Sequence, residues 1–235
     1  MEDSSGRPGI PLRLNVLAVL QILGRGNRFD DIQELSGMPQ SRAQSTFHHF
    51  CRCFVRDVYA KWIYVPEGKD LEVMRMYEAV EFPGAVGSSD VTHVRWERAP
   101  TSEGVHYMGK EGLVTVAYQV TVDHTGFAQG VMTRQSCAGA QACGLEYTEK
   151  GACIKVSGGY HKWRCTICPF KASITQAQAN SSERMESVGK DVECFLGRTK
   201  GRWRILKLPL QYWHRKRIDN ILFHLLHTAK YALCI

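Results

Sequence analysis

Residues 113–126 read LVTVAYQVTVDHTG, and this stretch decides the fold class. Valine and tyrosine alternate there with threonine, alanine and glutamine, and this period of two is typical of a half-buried β-strand. DHTG at 123–126 predicts a turn, and residues 127–132 predict the returning strand of a hairpin. Upstream, the apolar residues of 86–94 surround Asp90 and predict a preceding strand.

Further elements flank this hairpin. CIKV at 153–156 predicts a short buried strand, while residues 183–198 and 218–226 have the pattern of helices. Three strands, a crossover, a fourth strand and late helices predict a mixed α/β domain. The glycine- and proline-containing stretch 83–87 is the best boundary between this domain and the segment before it.

The segment 1–83 has helical patterns instead. Residues 11–24 predict a buried helix with Gly24 as its C-cap, and residues 29–37 predict a short second helix. A third, amphipathic helix is expected to begin near Ser41, whose hydroxyl can cap it. This order predicts an all-α helix-turn-helix domain.

The polar face of the third helix carries side chains that suit DNA contacts. Arg42, Gln44 and His48 could reach base edges or phosphates. The alternative is a small three-helix bundle without DNA contacts. The net charge of −1 over residues 1–83 argues against strong phosphate binding by this part alone.

Basic residues are concentrated near the C-terminus. The chain has 235 residues and a net charge of +7, of which residues 181–235 contribute +6. Five cations follow Glu193: Arg198, Lys200, Arg202, Arg204 and Lys207. They predict a phosphate-binding surface, and a solvated basic face or a nuclear-import signal is the alternative.

Composition excludes several classes of protein. The sequence has no run of about 18 apolar residues, so a membrane span and a membrane partner are not expected. The first residues do not have the pattern of a signal peptide. The nine cysteines form an odd set, which indicates reduced thiols in the cytosol or nucleus.

HKWRCTIC places His161, Cys165 and Cys168 close together. A zinc site needs a fourth ligand, and the sequence has no second cysteine pair at zinc-finger spacing. Buried cysteines are therefore favoured, and a zinc-dependent structural domain is the outside alternative.

Two carboxylates far apart in the sequence suit metal-assisted hydrolysis. Asp90 lies in GSSDVTHV at the expected end of a strand, and Glu193 lies in KDVECF directly before the basic segment. Two acids beside a cationic surface are what metal-assisted phosphodiester hydrolysis needs, and Mg²⁺ requires no tight ligand spacing. Two solvated surface acids are the alternative.

Four blocks in order resemble the PIF/Harbinger transposases, including the plant-transposon-protein branch and the transposase-derived nucleases. They are GSSDVTHV, YMGKEG with the LVTVAYQVTVDHTG stretch, VSGGYHKWRCTICPFK and VGKDVECFLGRTKGRWRILK. The likeness is close over 84–208 and loose over 29–223. It implies an RNase H-like mixed sheet over 84–208 with an Asp-Asp-Glu triad and divalent metal, Mg²⁺ or Mn²⁺. It also implies a helix-turn-helix over 1–83. The remaining segment, 209–235, is predicted to contain a C-terminal helix.

Within this resemblance, Asp90 and Glu193 match the first and last acids of the triad and its metal ligands. Gly189 stands where the family usually has arginine. The second acid falls on Ser157, whose neutral hydroxyl cannot supply the charge that bridges two metals. The segment 135–152 is also shorter than in the family, and it barely meets the length of a parallel crossover.

These departures predict a degenerate copy with impaired catalysis. The C-terminal stretch 221–235 also departs from the family's ending, and a one-base shift of reading frame would relate the two. The resemblance thus implies an endonuclease-like protein that acts on DNA phosphodiesters. The alternative is a catalytically inactive DNA- or protein-binding module of the same fold. DNA and a Myb/SANT-like DNA-binding protein are the implied partners, and the nucleus, with cytoplasm also possible, is the expected location.

Overall fold

The computed structural model describes residues 9–59, 71–109, 112–126, 128–133, 153–156 and 166–231. The helices are α1 (Leu12–Arg25), α2 (Phe29–Ser36), α3 (Gln40–Phe54), α4 (Leu71–Ala79), α5 (Thr101–Gly104), α6 (Gln176–Arg202) and α7 (Arg215–Tyr231). A π-helical turn, Val55–Tyr59, follows α3, and 3₁₀ turns cover Val105–Tyr107 and Arg204–Lys207. The strands are β1 (Ala85–Arg95), β2 (Thr115–Val122), β3 (Ala128–Thr133), β4 (Cys153–Val156) and β5 (Thr166–Ile167).

These strands form one mixed sheet in the order β3-β2-β1-β4-β5. β1 and β2 are antiparallel, with Asp90 opposite Val120, and β2 and β3 are also antiparallel. β1 and β4 run parallel, with Ser89 opposite Val156, and β4 runs parallel to β5. The mixed α/β class is thereby confirmed, and the sheet is consistent with an RNase H-like core.

The predicted strands are confirmed to within one or two residues at each end. The late helices are longer than predicted. α6 begins at Gln176 because Thr175 and Gln178 form a capping box: the Thr175 side chain accepts a hydrogen bond from the Gln178 amide at 3.3 Å. The short strand β5 was not predicted, since two residues carry no periodicity.

The three N-terminal helices occur in the predicted order, but two predicted ends are wrong. α1 continues through Gly24 to Arg25, and its C-cap is Gly26, whose φ of 71° is left-handed. α3 begins at Gln40 after Pro39, so Ser41 lies inside the helix and does not cap it. That these helices form a DNA-binding helix-turn-helix stays a prediction, as do the domain limits 1–83, 84–208 and 209–235.

One hydrophobic cluster connects the N-terminal helices, the sheet and α7. It includes Leu23 of α1, Phe47 of α3, Val120 of β2, Phe195 of α6 and Leu222 of α7. A smaller cluster joins Val86 of β1 to Ile154 and Val156 of β4, against which Met74 of α4 packs. Across the described part of the chain, no helix is long and apolar enough to cross a membrane.

Candidate active site

Strand β1 presents Asp90 beside the parallel strand β4. Ser88 and Lys155 are paired across the two strands, and Ser88 and Asp90 share a face of the sheet because they are two residues apart. Helix α6 crosses this face, and Ser88 Oγ donates a hydrogen bond to the Val188 carbonyl at 3.4 Å. The half-buried Asp90 therefore lies next to the helix that carries Glu193.

The structure brings Asp90 and Glu193 to one cavity of about 270 Å³. The other residues that line it are Ser88, Ser89, Lys155, Val156, Pro169, Glu186, Gly189, Lys190 and Val192. The cavity thus joins the middle of β1, the end of β4 and one side of α6. Sequence reasoning selected Asp90 and Glu193 but missed the third acid, Glu186, and both lysines of the cavity.

Lys155 is the buried cation among the cavity residues that sequence reasoning missed. It is only 6% exposed, although lysine usually keeps its ammonium in water. Its Nζ lies against Gly189, where an added Cβ would collide with it. Burial lowers the pKa of Lys155 to about 8, while the charges of Asp191 and Glu193 partly oppose this shift. Alternation along CIKV puts Lys155 on the face opposite to Ile154 and Val156, so the pattern carried no signal that this lysine is buried.

Glu193 is paired on its own helix. Its Oε2 accepts a hydrogen bond from Lys190 Nζ at 2.6 Å, and both side chains are more than half exposed. One turn of α6 therefore carries the acid together with a neutralising cation. Such an exposed pair contributes little to stability, so Glu193 remains able to exchange this partner for a ligand.

Asp191 is a further acid of α6 that sequence reasoning did not select. Burial raises the pKa of Asp191, and the positive charges of His124 and Lys155 act in the opposite direction. It lies on α6 two residues before Glu193, and its charge reaches Lys155. Its helix position gave no signal, because an acid inside a charged helix is usually solvated.

The described residues do not fit a pair of divalent ions. In the described ranges, no group of three histidine, cysteine, aspartate or glutamate side chains is placed to hold a metal. The cavity instead combines three acids, Asp90, Glu186 and Glu193, with Lys155 and Lys190. The two lysines oppose most of the charge of these carboxylates, and bridging two metals requires more excess negative charge than this set supplies. Ser157, His161 and Cys165 lie outside the described residues.

The predicted phosphate-binding cations lie along the end of α6 and the turn after it. Lys200 Nζ donates a hydrogen bond to the His93 carbonyl at 3.4 Å, and the charge of Asp90 acts on Lys200. Burial nevertheless lowers the pKa of Lys200. Arg202 lies 5.7 Å from the ring centre of Trp203. Arg198, Arg204 and Lys207 are exposed.

The structure places the three predicted DNA-contacting residues of α3 in different environments. Arg42 lines a second cavity of about 1170 Å³, between α1, α3 and the start of α7, while Gln44 is exposed beside it. His48 also lines that cavity, but its ring packs edge-on against Phe47 and Tyr212 at 5.4 and 5.1 Å. Burial and the charge of Arg217 lower the pKa of His48 to about 4.

The second cavity gains cations from α7 that are distant in the sequence. Its exposed basic lining combines α3 with the segment 214–217: Arg42, His49, Arg52, His214, Lys216 and Arg217. Residues 1–83 have a net charge of only −1. The cations of 214–217 therefore add positive charge to the surface of this helical part. A local count along the sequence could not have found this arrangement.

Residues 89–226 match the family model described as DDE superfamily endonuclease. The chain belongs to the DDE superfamily endonucleases. The matched region contains Asp90, Glu193 and most of α7, so both candidate acids lie within it. Members of this family act on DNA and generally use divalent metal ions. No curated protein and no solved structure matches the chain.

Proposed function

We propose that this DDE superfamily member is a transposase-derived protein of the PIF/Harbinger type that binds DNA but is impaired in cleaving it. One observation carries the proposal: Asp90 and Glu193, distant in the sequence, line one cavity in a chain that matches the endonuclease family. Two carboxylates with cations nearby suit a site that receives a phosphodiester. DNA is therefore the proposed partner.

The impairment is inferred from the charges around these two acids. The position of the family's second acid is occupied by Ser157, which is neutral. The described cavity also contains the buried cation Lys155. An active form of this site would use Mg²⁺ or Mn²⁺, as is general in the family, with Asp90 and Glu193 as the ligands.

The cations of α6 support binding of the DNA backbone beside the acids. Lys200 lies within electrostatic reach of Asp90, and Arg198 follows Glu193 on the same helix. Phosphate contacts of this kind hold a strand in position without reading its sequence. Arg202, Arg204 and Lys207 extend the same basic segment past the end of the helix.

The cavity between α3 and α7 supports a second DNA contact. Arg42 and Arg217 lie on different helices and line it together, which suits two phosphates or a phosphate and a base edge. His48 is proposed as a positioning residue of this surface, because its ring packs against Tyr212 and its Nε2 lies 3.4 Å from Arg217 Nη1. Gln44 is proposed to contact DNA from the exposed side of α3.

A salt titration of duplex DNA binding tests this proposal. We expect the logarithm of the binding constant to fall linearly with the logarithm of salt, with a slope of about −0.9 per phosphate contacted. Lys216→Gln with Arg217→Gln should reduce the slope by about two such units. Lys171→Gln is the control, because this exposed lysine lies outside both cavities.

A flat salt dependence would contradict DNA binding and favour the protein-binding alternative. Helix α1 gives that alternative a specific basis, since Leu12, Leu17 and Leu20 are 78%, 51% and 45% exposed. Exposed leucines on one helix suit an apolar protein partner. We propose a Myb/SANT-like DNA-binding protein as a partner and the nucleus as the location, with the cytoplasm as a second compartment.

A further inference from the structure

The cavity of Asp90 and Glu193 contains a cation that belongs to the protein. Lys155 reaches it from β4, and its Nζ lies against the backbone of α6 at Gly189. At 6% exposure the ammonium is largely removed from water, so it needs negative charge nearby. Three acids of α6 act on it: Asp191, Glu193 and Glu186.

We propose that the Lys155 ammonium is the resident cation of this cavity and that it lowers the affinity of Asp90 and Glu193 for a divalent ion. The inference deepens the proposed function. It rests on that function, because the proposed function assigns this cavity to the DNA cleavage reaction of the family. It supplies a cause of impairment that is independent of Ser157. Part of the negative charge of the acids is therefore compensated before a metal ion binds.

Electrostatic repulsion is the reason why Lys155 should weaken the binding of a divalent ion. A divalent ion bound to Asp90 and Glu193 would share a cavity of about 270 Å³ with a fixed positive charge. At such short separations and reduced dielectric, the repulsion is large enough to weaken metal binding tenfold or more. Lys155 extends from β4 and its Nζ contacts α6 at Gly189, so its charge lies within the cavity.

Gly189 is the residue that makes this arrangement possible. Glycine weakens a helix interior, yet position 189 lies in the middle of α6. A Cβ there would meet Lys155 Nζ and then Cε, so any larger residue must displace the ammonium. The lack of a side chain at Gly189 of α6 therefore leaves the space that the Lys155 ammonium of β4 occupies.

Manganese binding to the full chain tests the proposal without DNA. Free Mn²⁺ is measured by electron paramagnetic resonance in a titration with MnCl₂ alone. We expect Lys155→Met to bind Mn²⁺ at least about tenfold more tightly than the unaltered chain. Lys171→Met is the control, because it changes the net charge equally at an exposed site outside the cavity, and its affinity should not change.

A second substitution locates the ion. Asp90→Asn in the Lys155→Met background should abolish the gain, because it removes a carboxylate of the cavity. Unchanged or weaker Mn²⁺ binding by Lys155→Met, or a gain that survives Asp90→Asn, would overturn the proposal. Circular dichroism establishes that each variant is folded.

Lys155→Gln keeps the test decisive if Lys155→Met does not fold. It removes the positive charge and keeps a polar side chain at the same position, so Mn²⁺ affinity should rise here as well. No rise in the folded Lys155→Gln chain would equally overturn the proposal. Since these titrations contain no DNA, their failure is distinct from a failure of DNA binding in the salt titration.

Discussion

Single residues connect the sheet to the last helix through a small polar network. Asp219 of α7 accepts a hydrogen bond from the Tyr118 hydroxyl at 2.7 Å and another from Arg215 Nε at 3.3 Å. Arg215 Nη1 in turn donates to the Tyr107 hydroxyl at 2.7 Å. Because Tyr118 is fully buried, its hydroxyl depends on this carboxylate.

We expect Asp219→Ala to lower the free energy of unfolding by about 2–3 kcal/mol, because it leaves the buried Tyr118 hydroxyl without its acceptor and removes one acceptor of the Arg215 guanidinium. Urea denaturation measures this loss. Asp30→Ala is the matched control, since Asp30 is 54% exposed in a 3.7 Å ion pair with Arg28 and should cost only ~0.5 kcal/mol. Equal losses in the two variants would contradict the role of the network.

At the scale of elements, the end of α1 depends on one glycine. Gly26 has a φ of 71°, and an added Cβ would collide with the Leu208 side chain. We expect Gly26→Ala to destabilise the protein by about 1–2 kcal/mol through the left-handed backbone alone. Gly197→Ala should instead stabilise α6 by ~1 kcal/mol, since its Cβ meets no described atom within 4 Å. Thermal denaturation of both variants would show opposite shifts, and shifts of the same sign would count against this account.

The packing of α3 against α7 makes stability depend on pH. The His224 ring packs edge-on against Phe54 at 4.1 Å and is 2% exposed. Burial, and then the charge of His227, lower the pKa of His224 from 6.5 to about 4. The unfolded chain therefore binds this proton more readily than the folded one. The stability is complete above pH 6.5 and is lost as the pH falls towards 4, by about 3 kcal/mol.

Melting temperatures between pH 8 and pH 4.5 measure this loss. We expect His224→Leu to reduce the loss of stability on the acid side, because it removes one of two histidines whose pKa is lowered to about 4, the other being His48. His106→Leu, at an exposed histidine, should leave the profile unchanged. An acid side as steep in His224→Leu as in the unaltered chain would contradict the role of His224.

The sequence was most informative where structure is local. Alternation in 113–126 predicted β2 and the turn after it, and the amphipathic pattern after residue 40 predicted α3. Asp90 and Glu193 were selected through their motifs. The end of α1 was misplaced by two residues because Gly24 and Gly26 are both possible caps, and only the backbone conformation distinguishes them.

The remaining features depend on contacts between distant segments. Lys155 became part of the site only because β4 pairs with β1 and faces Gly189 of α6. Likewise, the cavity of Arg42 gains Arg217 only when α3 and α7 pack together. Neither relation is encoded in a local period, so pattern and charge counting could not predict them.

For the whole molecule, the position of charge matters more than its sum. The surplus of residues 181–235 is divided between α6, where Lys200 lies near Asp90, and α7, where Arg217 faces α3. One hydrophobic cluster spans both regions, so the two basic surfaces belong to one packed body. The proposed DNA-binding function uses both surfaces, whereas cleavage would depend on the cavity of Asp90 and Glu193.

Nicking of supercoiled DNA tests the central claim of impaired cleavage most directly. The purified full chain is incubated with plasmid and Mg²⁺ or Mn²⁺, beside Asp90→Ala and Ser157→Asp. The account predicts that the unaltered chain converts no more supercoiled DNA to the open circle than Asp90→Ala does. Metal-dependent nicking by the unaltered chain that Asp90→Ala abolishes would contradict it.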